Sequence, residues 1–514
     1  MADPTTVVDP GRTSRVERLI PWLGGALLLG LLATWALGTA RYGGPDEPAH
    51  VLRAYAVAHG QAQGEVPDSA SIELAPGYRI VDVPASLASG DPACFRHDSA
   101  VTPDCAVPST STATVPAATS AGINPPLYYA LVGSLARLGD ESQPLTYRFA
   151  AAALVAAVLA LTAWRLAPLA HRPPWAATVA LGAITPAAWF LFGVVNPNSL
   201  EIALAALAWV GVARWWCSPD ERTPSAAWWI GVPMAAAVAI RPVALSTAAT
   251  VLAIVYLAAR PRKRAAMAMW VSIVAAIASL ALWQVVLGMA VVDDPRTAEQ
   301  GSVAHAFGEA IAGLPRSAAE LVGSLGWLEY WAPVVAQLAW GVAVVAAVVA
   351  GRHDVLRART LTSDLADRPA RRRLQAAAVV WLVALVATPV VFEVVFFSSI
   401  GPIWQGRYSI SLWLGGAALV ISAGTGPAAL RSIALGRLGG AAAIGCLALA
   451  EVATFWAVVR RATVGTDGSW WFTDAVDIGA PAHPRLLLIV HVAIVAVLAL
   501  GLAHRFARRD RYSK

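Results

Sequence analysis

Long apolar stretches recur along almost the whole chain, and they limit what it can fold into. A helix needs about 20 mostly apolar residues to cross the roughly 30 Å hydrocarbon core of a bilayer. Of the 514 residues, 57% are hydrophobic and 14% are charged, and about twelve segments reach or approach the length of a span. The sequence therefore predicts an all-α, polytopic membrane protein with about twelve transmembrane helices. The predicted spans cover residues 19–38, 147–167, 174–195, 198–216, 226–240, 243–259, 265–290, 331–350, 376–398, 408–424, 438–458 and 484–505.

Basic residues in the short loops predict how the chain is oriented, because cytoplasmic loops carry an excess of Lys and Arg. With a cytoplasmic N-terminus, the inner side collects the arginines before the first span, the loop 352–373 and the tail 505–514. We therefore expect residues 1–18 and 506–514 to be cytoplasmic, and residues 19–505 to form one transmembrane domain in the plasma membrane. The net charge of +6 agrees with an excess of basic residues in cytoplasmic loops and with attraction to anionic headgroups of the lipid bilayer. The sequence carries no nucleic-acid signature.

The same orientation places two longer loops, 39–146 and 291–330, outside the membrane. Cys94 and Cys105 lie in the first loop, where an oxidising compartment permits a disulfide between them. The alternative is two reduced thiols in a flexible loop. Residues 107–121 are rich in Ser, Thr, Ala and Pro and predict a mobile connection. Two segments unsuited to spanning predict helices on the outer surface, 125–138 and 303–325.

The first loop opens with two carboxylates, a histidine and an arginine close together. Proline fits the first turn of a helix, where N–H groups have no partner, so residues 44–48 predict a helix start. On that helix Asp46, His50 and Arg53 share one face. The cluster indicates chemistry at the membrane surface. The alternative for Asp46 and Glu47 is stabilisation of the helix dipole, and for His50 an orienting or structural role.

Further polar and aromatic residues gather where the predicted spans meet the outer surface. They are Asn124, Tyr128, Tyr129, Arg148, Asn196, Asn198, Arg241, Trp327, Glu329, Gln405, Arg407 and Tyr408. Arg241 lies between two short predicted spans, where a charged side chain needs a partner or a water-filled cavity. Two interpretations of Arg241 are therefore possible, a functional role and a buried ion pair. Arg148 and Arg407 are functional groups or interfacial anchors. The aromatic residues in this set could instead belong to an aromatic belt at the membrane interface. Asn196 and Asn198 could instead cap a helix.

Five motifs in this order resemble the domain-of-unknown-function family 2142, and the resemblance covers nearly the whole chain. The motifs lie at residues 45–50, 124–129, 196–200, 326–327 and 405–408. That family in turn resembles the GT-C superfamily of polytopic glycosyltransferases, so a GT-C-like fold is expected. One departure is visible: Asn198 stands where many relatives carry Asp.

The resemblance implies inverting transfer of a hexose or pentose from a polyprenyl-phosphate donor, on the outer membrane face, to a glycan, lipid or protein acceptor of the cell envelope. The sequence offers no Gly-rich phosphate loop, which agrees with a lipid-linked donor. Asp46 is the first choice for the base that deprotonates the acceptor hydroxyl, and Glu47 is the second. The other carboxylate would bind acceptor hydroxyls or a divalent cation. The remaining residues named above, with His50 and Arg53, are expected to bind substrate, and the candidates for holding its phosphate are Arg53, Arg148, Arg241 and Arg407.

Two other functions remain open from the sequence. Twelve spans also suit a transporter or flippase for a lipid-linked intermediate, although such proteins place polar residues near the bilayer midplane. A non-catalytic protein of envelope assembly is the third reading.

Overall fold

The computed structural model describes residues 15–67, 77–170, 175–258, 260–287, 302–361, 368–400, 403–424 and 434–508. The helices within these ranges are α1 (Arg15–Gly38), α2 (Glu47–Ala58), α3 (Leu127–Ala136), α4 (Pro144–Ala170), α5 (Trp175–Gly182), α6 (Pro186–Phe192), α7 (Pro197–Cys217), α8 (Pro224–Ile240), α9 (Ala244–Ala258), α10 (Lys263–Leu287), α11 (Val303–Gly323), α12 (Val334–Leu361), α13 (Arg368–Ile400), α14 (Ile410–Gly424), α15 (Ala434–Val464) and α16 (Pro484–Arg508). Parts of the predicted cytoplasmic termini and of the loop 291–330 lie outside the described residues.

Six of these helices are long and apolar enough to cross a membrane. They are Pro144–Leu169, Pro197–Cys217, Lys263–Val286, Pro369–Phe397, Gly439–Val464 and Pro484–His504. Shorter apolar helices occur at Trp22–Gly38, Leu127–Ala136, Pro224–Ile240, Ala244–Ala258 and Val334–Val349. The chain is therefore a mostly helical, multi-pass membrane protein, as its apolar pattern predicts.

The third predicted span, 174–195, is not one continuous helix. It breaks after α5, and Thr185 starts α6 by accepting a hydrogen bond from the N–H of Ala188. Pro186 fits the first position of the new helix because it lacks an N–H group. The break frees the carbonyl of Gly182, which accepts a bond of 2.9 Å from the indole of Trp340. Such side-chain partners allow a helix to break at membrane depth.

The described residues are mostly helical, which is consistent with the predicted all-α membrane protein, and two short two-stranded sheets occur in the loop 39–146 and at the end of the loop 291–330. Strands β1 (Arg79–Pro84) and β2 (Thr114–Thr119) pair antiparallel, with Arg79 opposite Thr119. Strands β3 (Ser324–Leu325) and β4 (Tyr330–Trp331) form a tight hairpin. The prediction of a mobile connection over 107–121 is wrong for the residues of β2. Alternate side chains of this strand are exposed, as its composition suggests, but its backbone forms hydrogen bonds with β1. The predicted disulfide between Cys94 and Cys105 is confirmed.

The two segments predicted as surface helices are helical, as α3 and α11. Helix α3 packs on α2. At Gly133 a Cβ atom would overlap the carbonyl oxygen of Ala54, so only glycine allows this close approach. Helix α11 leaves Val303, Phe307 and Ile311 exposed at a spacing of four residues, which gives it one apolar face.

Polar side chains connect the ends of neighbouring helices on two opposite sides of the helical part. At one end, Arg148 near the start of α4 binds carbonyl groups at the end of α1. At the other, Arg214 near the end of α7 donates to the carbonyl of Arg165 in α4. Arg373 near the start of α13 donates to the carbonyl of Ala258 at the end of α9. The helix ends thus meet in two polar layers, and the candidate site belongs to the first.

Candidate functional site

The turn between α1 and α2 presents Asp46. The predicted helix start is confirmed: α2 begins at Glu47, with Asp46 as its N-cap residue in a left-handed conformation at φ 60°. The side chain of Asp46 makes no capping hydrogen bond to the helix, and it is 47% exposed. A left-handed aspartate is uncommon and costs about 1 kcal/mol or more. The conformation holds a carboxylate at the surface instead of using it to cap α2.

Asp46 is paired with Arg407, a residue from the turn before α14. Nη2 of Arg407 lies 2.9 Å from a carboxylate oxygen of Asp46, and the arginine is only 6% exposed. The guanidinium groups of Arg407 and Arg241 lie 5.3 and 4.6 Å from the ring centre of Tyr408. Burial would raise the pKa of Asp46, but the positive charges of Arg407 and Arg241 lower it below its ordinary value. The carboxylate is therefore ionised at neutral pH.

Glu47 has a different environment, although it is the next residue. Its carboxylate is fully buried and accepts bonds from Nε and Nη2 of Arg148 at 2.7 and 2.6 Å. It also accepts from the backbone N–H groups of Gly44 at 3.1 Å and Val195 at 3.0 Å. Arg148 uses its other donors on carbonyls at the end of α1. This closed pair joins α1, α4 and the start of α2, and it fixes the turn that carries Asp46.

A chain of hydrogen bonds runs from His50 to Arg53. Nδ1 of His50 and the hydroxyl of Tyr129 are 2.9 Å apart, and Nδ2 of Asn124 donates to that hydroxyl at 2.9 Å. The carbonyl of Asn124 accepts from Arg53 at 3.2 Å. Burial lowers the pKa of His50 to about 3, against the pull of the nearby carboxylate, so the ring is neutral. Tyr128 is buried edge-on to Tyr129, with ring centres 5.3 Å apart. These contacts join α2 to the segment that leads into α3.

Asn196, Asn198 and Arg241 meet beside the turn. The side chain of Asn196 caps α7 by accepting from the N–H of Asn198, and it donates to the carbonyl of Pro45 at 2.9 Å. Arg241 donates to the side-chain oxygen of Asn198 and lies 3.8 Å from the carboxylate of Glu201. The sequence interpretation missed Glu201. An acidic residue inside an apolar helix was the available signal, because such a group requires a partner.

Two further acidic residues, also missed, hold the turn that presents Arg407. Glu320 in α11 accepts from the backbone N–H of Gly406 at 2.9 Å. A Cβ atom at Gly406 would overlap the carbonyl of Ser317, so α11 and the turn are in direct backbone contact. Glu393 in α13 accepts from N–H groups just before Gln405. The position of Arg407 is thus set by α11 and α13.

Trp327 and Glu329 lie in the β3–β4 hairpin and connect it to segments that are distant in the sequence. The indole of Trp327 donates to the carbonyl of Tyr42 at 2.9 Å. Glu329 accepts from Arg461 at 3.3 Å, and burial raises the pKa of Glu329 to about 7. Arg461, at the end of α15, also binds carbonyls in the segment around the disulfide, including that of Phe95 at 2.8 Å. Sequence reasoning missed Arg461, which acts between two distant loops.

Several buried polar atoms around Asp46 have no hydrogen-bond partner among the described residues. They include Nε and Nη1 of Arg407, Nε and Nη1 of Arg53, Nδ2 of Asn198 and the hydroxyl of Tyr128, together with two acceptors, Oε1 of Gln405 and Oε2 of Glu201. Leaving one such group unpaired costs about 1 to 3 kcal/mol, more when it is charged. Most of these atoms are donors. The site is therefore suited to an oxygen-rich, negatively charged ligand.

The described residues fit a divalent cation poorly. They contain no group of three or more His, Cys, Asp and Glu side chains placed to hold a metal ion. The half-exposed carboxylate of Asp46 already faces Arg407, and Arg241 lies close by. Like charges repel, so a cation at Asp46 would have to displace its guanidinium partner.

These features define a multi-pass helical membrane protein in which the ends of several helices enclose a polar, positively charged site. Residues 29–415 match the family described as predicted membrane protein (DUF2142), and the chain belongs to that family. The matched range includes every predicted site residue from Asp46 to Tyr408 and ends before Arg461. No curated protein matches the chain.

Proposed function

We propose that this protein is a membrane glycosyltransferase that moves a sugar from a polyprenyl-phosphate donor to a glycan, lipid or protein of the cell envelope. The observation that carries the proposal is the pair of Asp46 and Arg407. A half-exposed, ionised carboxylate lies 2.9 Å from a buried guanidinium, two of whose donor atoms have no partner among the residues that the structure describes. One group can accept a proton and the other can hold a phosphate.

The reaction is a single displacement at the anomeric carbon. The acceptor oxygen forms the new bond to this carbon while its proton passes to Asp46. The bond from the anomeric carbon to the phosphate oxygen breaks, and the electron pair leaves with the phosphate. Attack from the opposite face inverts the anomeric configuration. No protein acid is required, because positive charge can stabilise the leaving phosphate.

Arg407 and Arg241 supply that charge. Both guanidinium groups lie against the ring of Tyr408, which brings both to the site. Arginine offers a planar fork that matches phosphate oxygens. Arg148 is committed to Glu47, so these two residues position the turn, and Asp46 is the base.

The contacts support a GT-C-like arrangement with twelve crossings, in which α5 and α6 together form the third. The turn at 44–48, the start of α7, the end of α8 and the turn at 405–408 meet at the site. The distribution of basic loop residues independently favours an outer location for these segments, with both termini cytoplasmic. The site lies at the helix ends, which favours an enzyme that acts at the membrane surface. A transporter would instead place its polar residues near the bilayer midplane.

The experiment is sugar transfer by the full chain in proteoliposomes. The donors are radiolabelled polyprenyl-phosphate mannose, glucose and arabinose, tested with a lipid extract of the native envelope as acceptor. We expect wild-type transfer from at least one donor and loss of transfer in Asp46→Asn. The exposed Glu309→Gln on α11 is the matched control and should retain activity. Equal transfer by Asp46→Asn and wild type would refute the base, and no transfer from any donor by the wild type would refute the proposed function.

A further inference from the structure

A groove of about 510 Å³ runs between residues 245–256 of α9 and residues 270–277 of α10, and we name it the α9–α10 groove. The two helices are consecutive, yet α10 packs on α8 while α9 packs on α7 and α13, which leaves a gap between them. Ala248, Leu252 and Ile273 form its buried floor. The rim residues Leu245 and Ile277 are 37% and 44% exposed. The groove is therefore apolar and open along one side.

One end of the α9–α10 groove lies next to the candidate site. Leu245 is in the first turn of α9, four positions after Arg241, which contacts Asn198 and Tyr408. From Leu245 to Tyr256 the helix rises about 16 Å, roughly half the thickness of the hydrocarbon core. At the far end the indole of Trp270 donates to the hydroxyl of Tyr256 at 3.0 Å. Positive charge thus lies at one end of the groove.

We propose that the α9–α10 groove binds the isoprenoid chain of the donor, with the donor phosphate at Arg241 and Arg407. This inference rests on the proposed function and assigns the lipid half of its substrate. An anionic head followed by a long apolar chain matches a site with cations at one end and an apolar groove leading away from it. The small side chains at Ala248, Ala249 and Ala253 leave width for a methyl-branched chain.

The groove can be filled without disturbing the core. Ala249 is exposed and Ala253 is half-buried, so a tryptophan at either position would extend into the groove. The variants are Ala249→Trp and Ala253→Trp. The matched control is Ala496→Trp, which places the same side chain on the exposed face of α16. Thermal unfolding of all three in detergent shows whether each is folded.

The test is photolabelling of the full chain in phosphatidylcholine vesicles. The probe is farnesyl phosphate with a diazirine at the end of its chain, and mass spectrometry locates the labelled peptides. Unlabelled long-chain polyprenyl phosphate and phosphatidylglycerol are the competitors, which separate an isoprenoid from an ordinary anionic lipid. Farnesol with the same diazirine tests the contribution of the phosphate.

We expect label in residues 245–277, removed by polyprenyl phosphate but not by phosphatidylglycerol, and reduced about tenfold in Ala249→Trp and Ala253→Trp but not in Ala496→Trp. Farnesol should label the groove more weakly, since it lacks the anionic head. Label elsewhere, equal competition by phosphatidylglycerol, or unchanged label in the folded groove variants would overturn the proposal. Because labelling needs no sugar transfer, a protein that binds the probe here but transfers no sugar would refute only the proposed function.

Discussion

The carboxylate of Asp46 lies 2.9 Å from the guanidinium of Arg407, although 361 positions separate the two residues in the chain. The contact joins the turn after the first predicted span to the turn before the tenth. The half-exposed carboxylate thus has a cationic partner, and two donor atoms of Arg407 have no partner within the described part of the chain. A donor phosphate could therefore bind Arg407 beside the base.

Replacing Arg407 by lysine should weaken donor binding more than catalysis. Lysine keeps the charge but loses the two unpartnered guanidinium donors, Nε and Nη1. We expect the KM for the polyprenyl-phosphate donor to rise about tenfold with a smaller change in kcat. Transfer kinetics at varied donor concentration measure this, and the exposed Arg137→Lys is the control. An unchanged KM would contradict the phosphate role.

Glu47→Gln should reduce stability strongly, because it leaves Arg148 buried without its carboxylate partner. Removing one member of a buried ion pair costs about 3 to 5 kcal/mol. Thermal unfolding in detergent should show a clearly lower midpoint than for Asp46→Asn, whose carboxylate is half-exposed. If both variants unfold at the wild-type temperature, Glu47 does not fix the turn.

Gly406→Ala should impair activity by displacing Arg407. The added methyl group would overlap the backbone of α11 at Ser317, so the turn must move away. Gly308→Ala in α11 is the matched control, because a Cβ there meets open space. We expect transfer to fall in the first variant and to persist in the second. Equal activity in both would show that the turn tolerates the shift.

His50 should make the protein less stable as the pH falls. Its folded pKa of about 3 lies below the ordinary value of 6.5, so the unfolded chain binds more protons between these values. Stability is therefore retained above pH 6.5 and declines below it, approaching about 1.4 kcal/mol per pH unit. Unfolding midpoints from pH 7.5 to about 5 should fall less in His50→Gln than in wild type or in the exposed control His305→Gln. Parallel pH profiles for all three would argue against a neutral buried ring.

Arg461→Gln should loosen the β3–β4 hairpin and the segment around the disulfide. The change leaves Glu329 buried without its cation and frees the carbonyls around the disulfide. We expect lower stability, seen as faster proteolysis of residues 91–106 and a lower unfolding temperature. Arg137→Gln changes an exposed arginine in α3's C-terminal turn and should have neither effect. Unaltered proteolysis of the Arg461 variant would contradict this role.

Apolar length and proline position predicted the helices well, because both act locally. The helix start at 44–48 and the surface helix α3 followed from residues that are neighbours in the chain. The break between α5 and α6 was missed, since an apolar stretch of sufficient length does not reveal that Trp340 satisfies the freed carbonyl.

By itself the sequence determined that this chain is a multi-pass helical membrane protein, and it identified most of the polar residues that meet at one site. Only the tertiary structure separated Asp46 from its neighbour Glu47. Adjacent residues share the same local signals, whereas exposure and charge pairing depend on segments hundreds of positions away. Arg148 from α4 closes around Glu47, and Arg407 leaves Asp46 partly open. The same long-range packing brought in Glu201, Glu320 and Arg461, whose partners no local pattern could show.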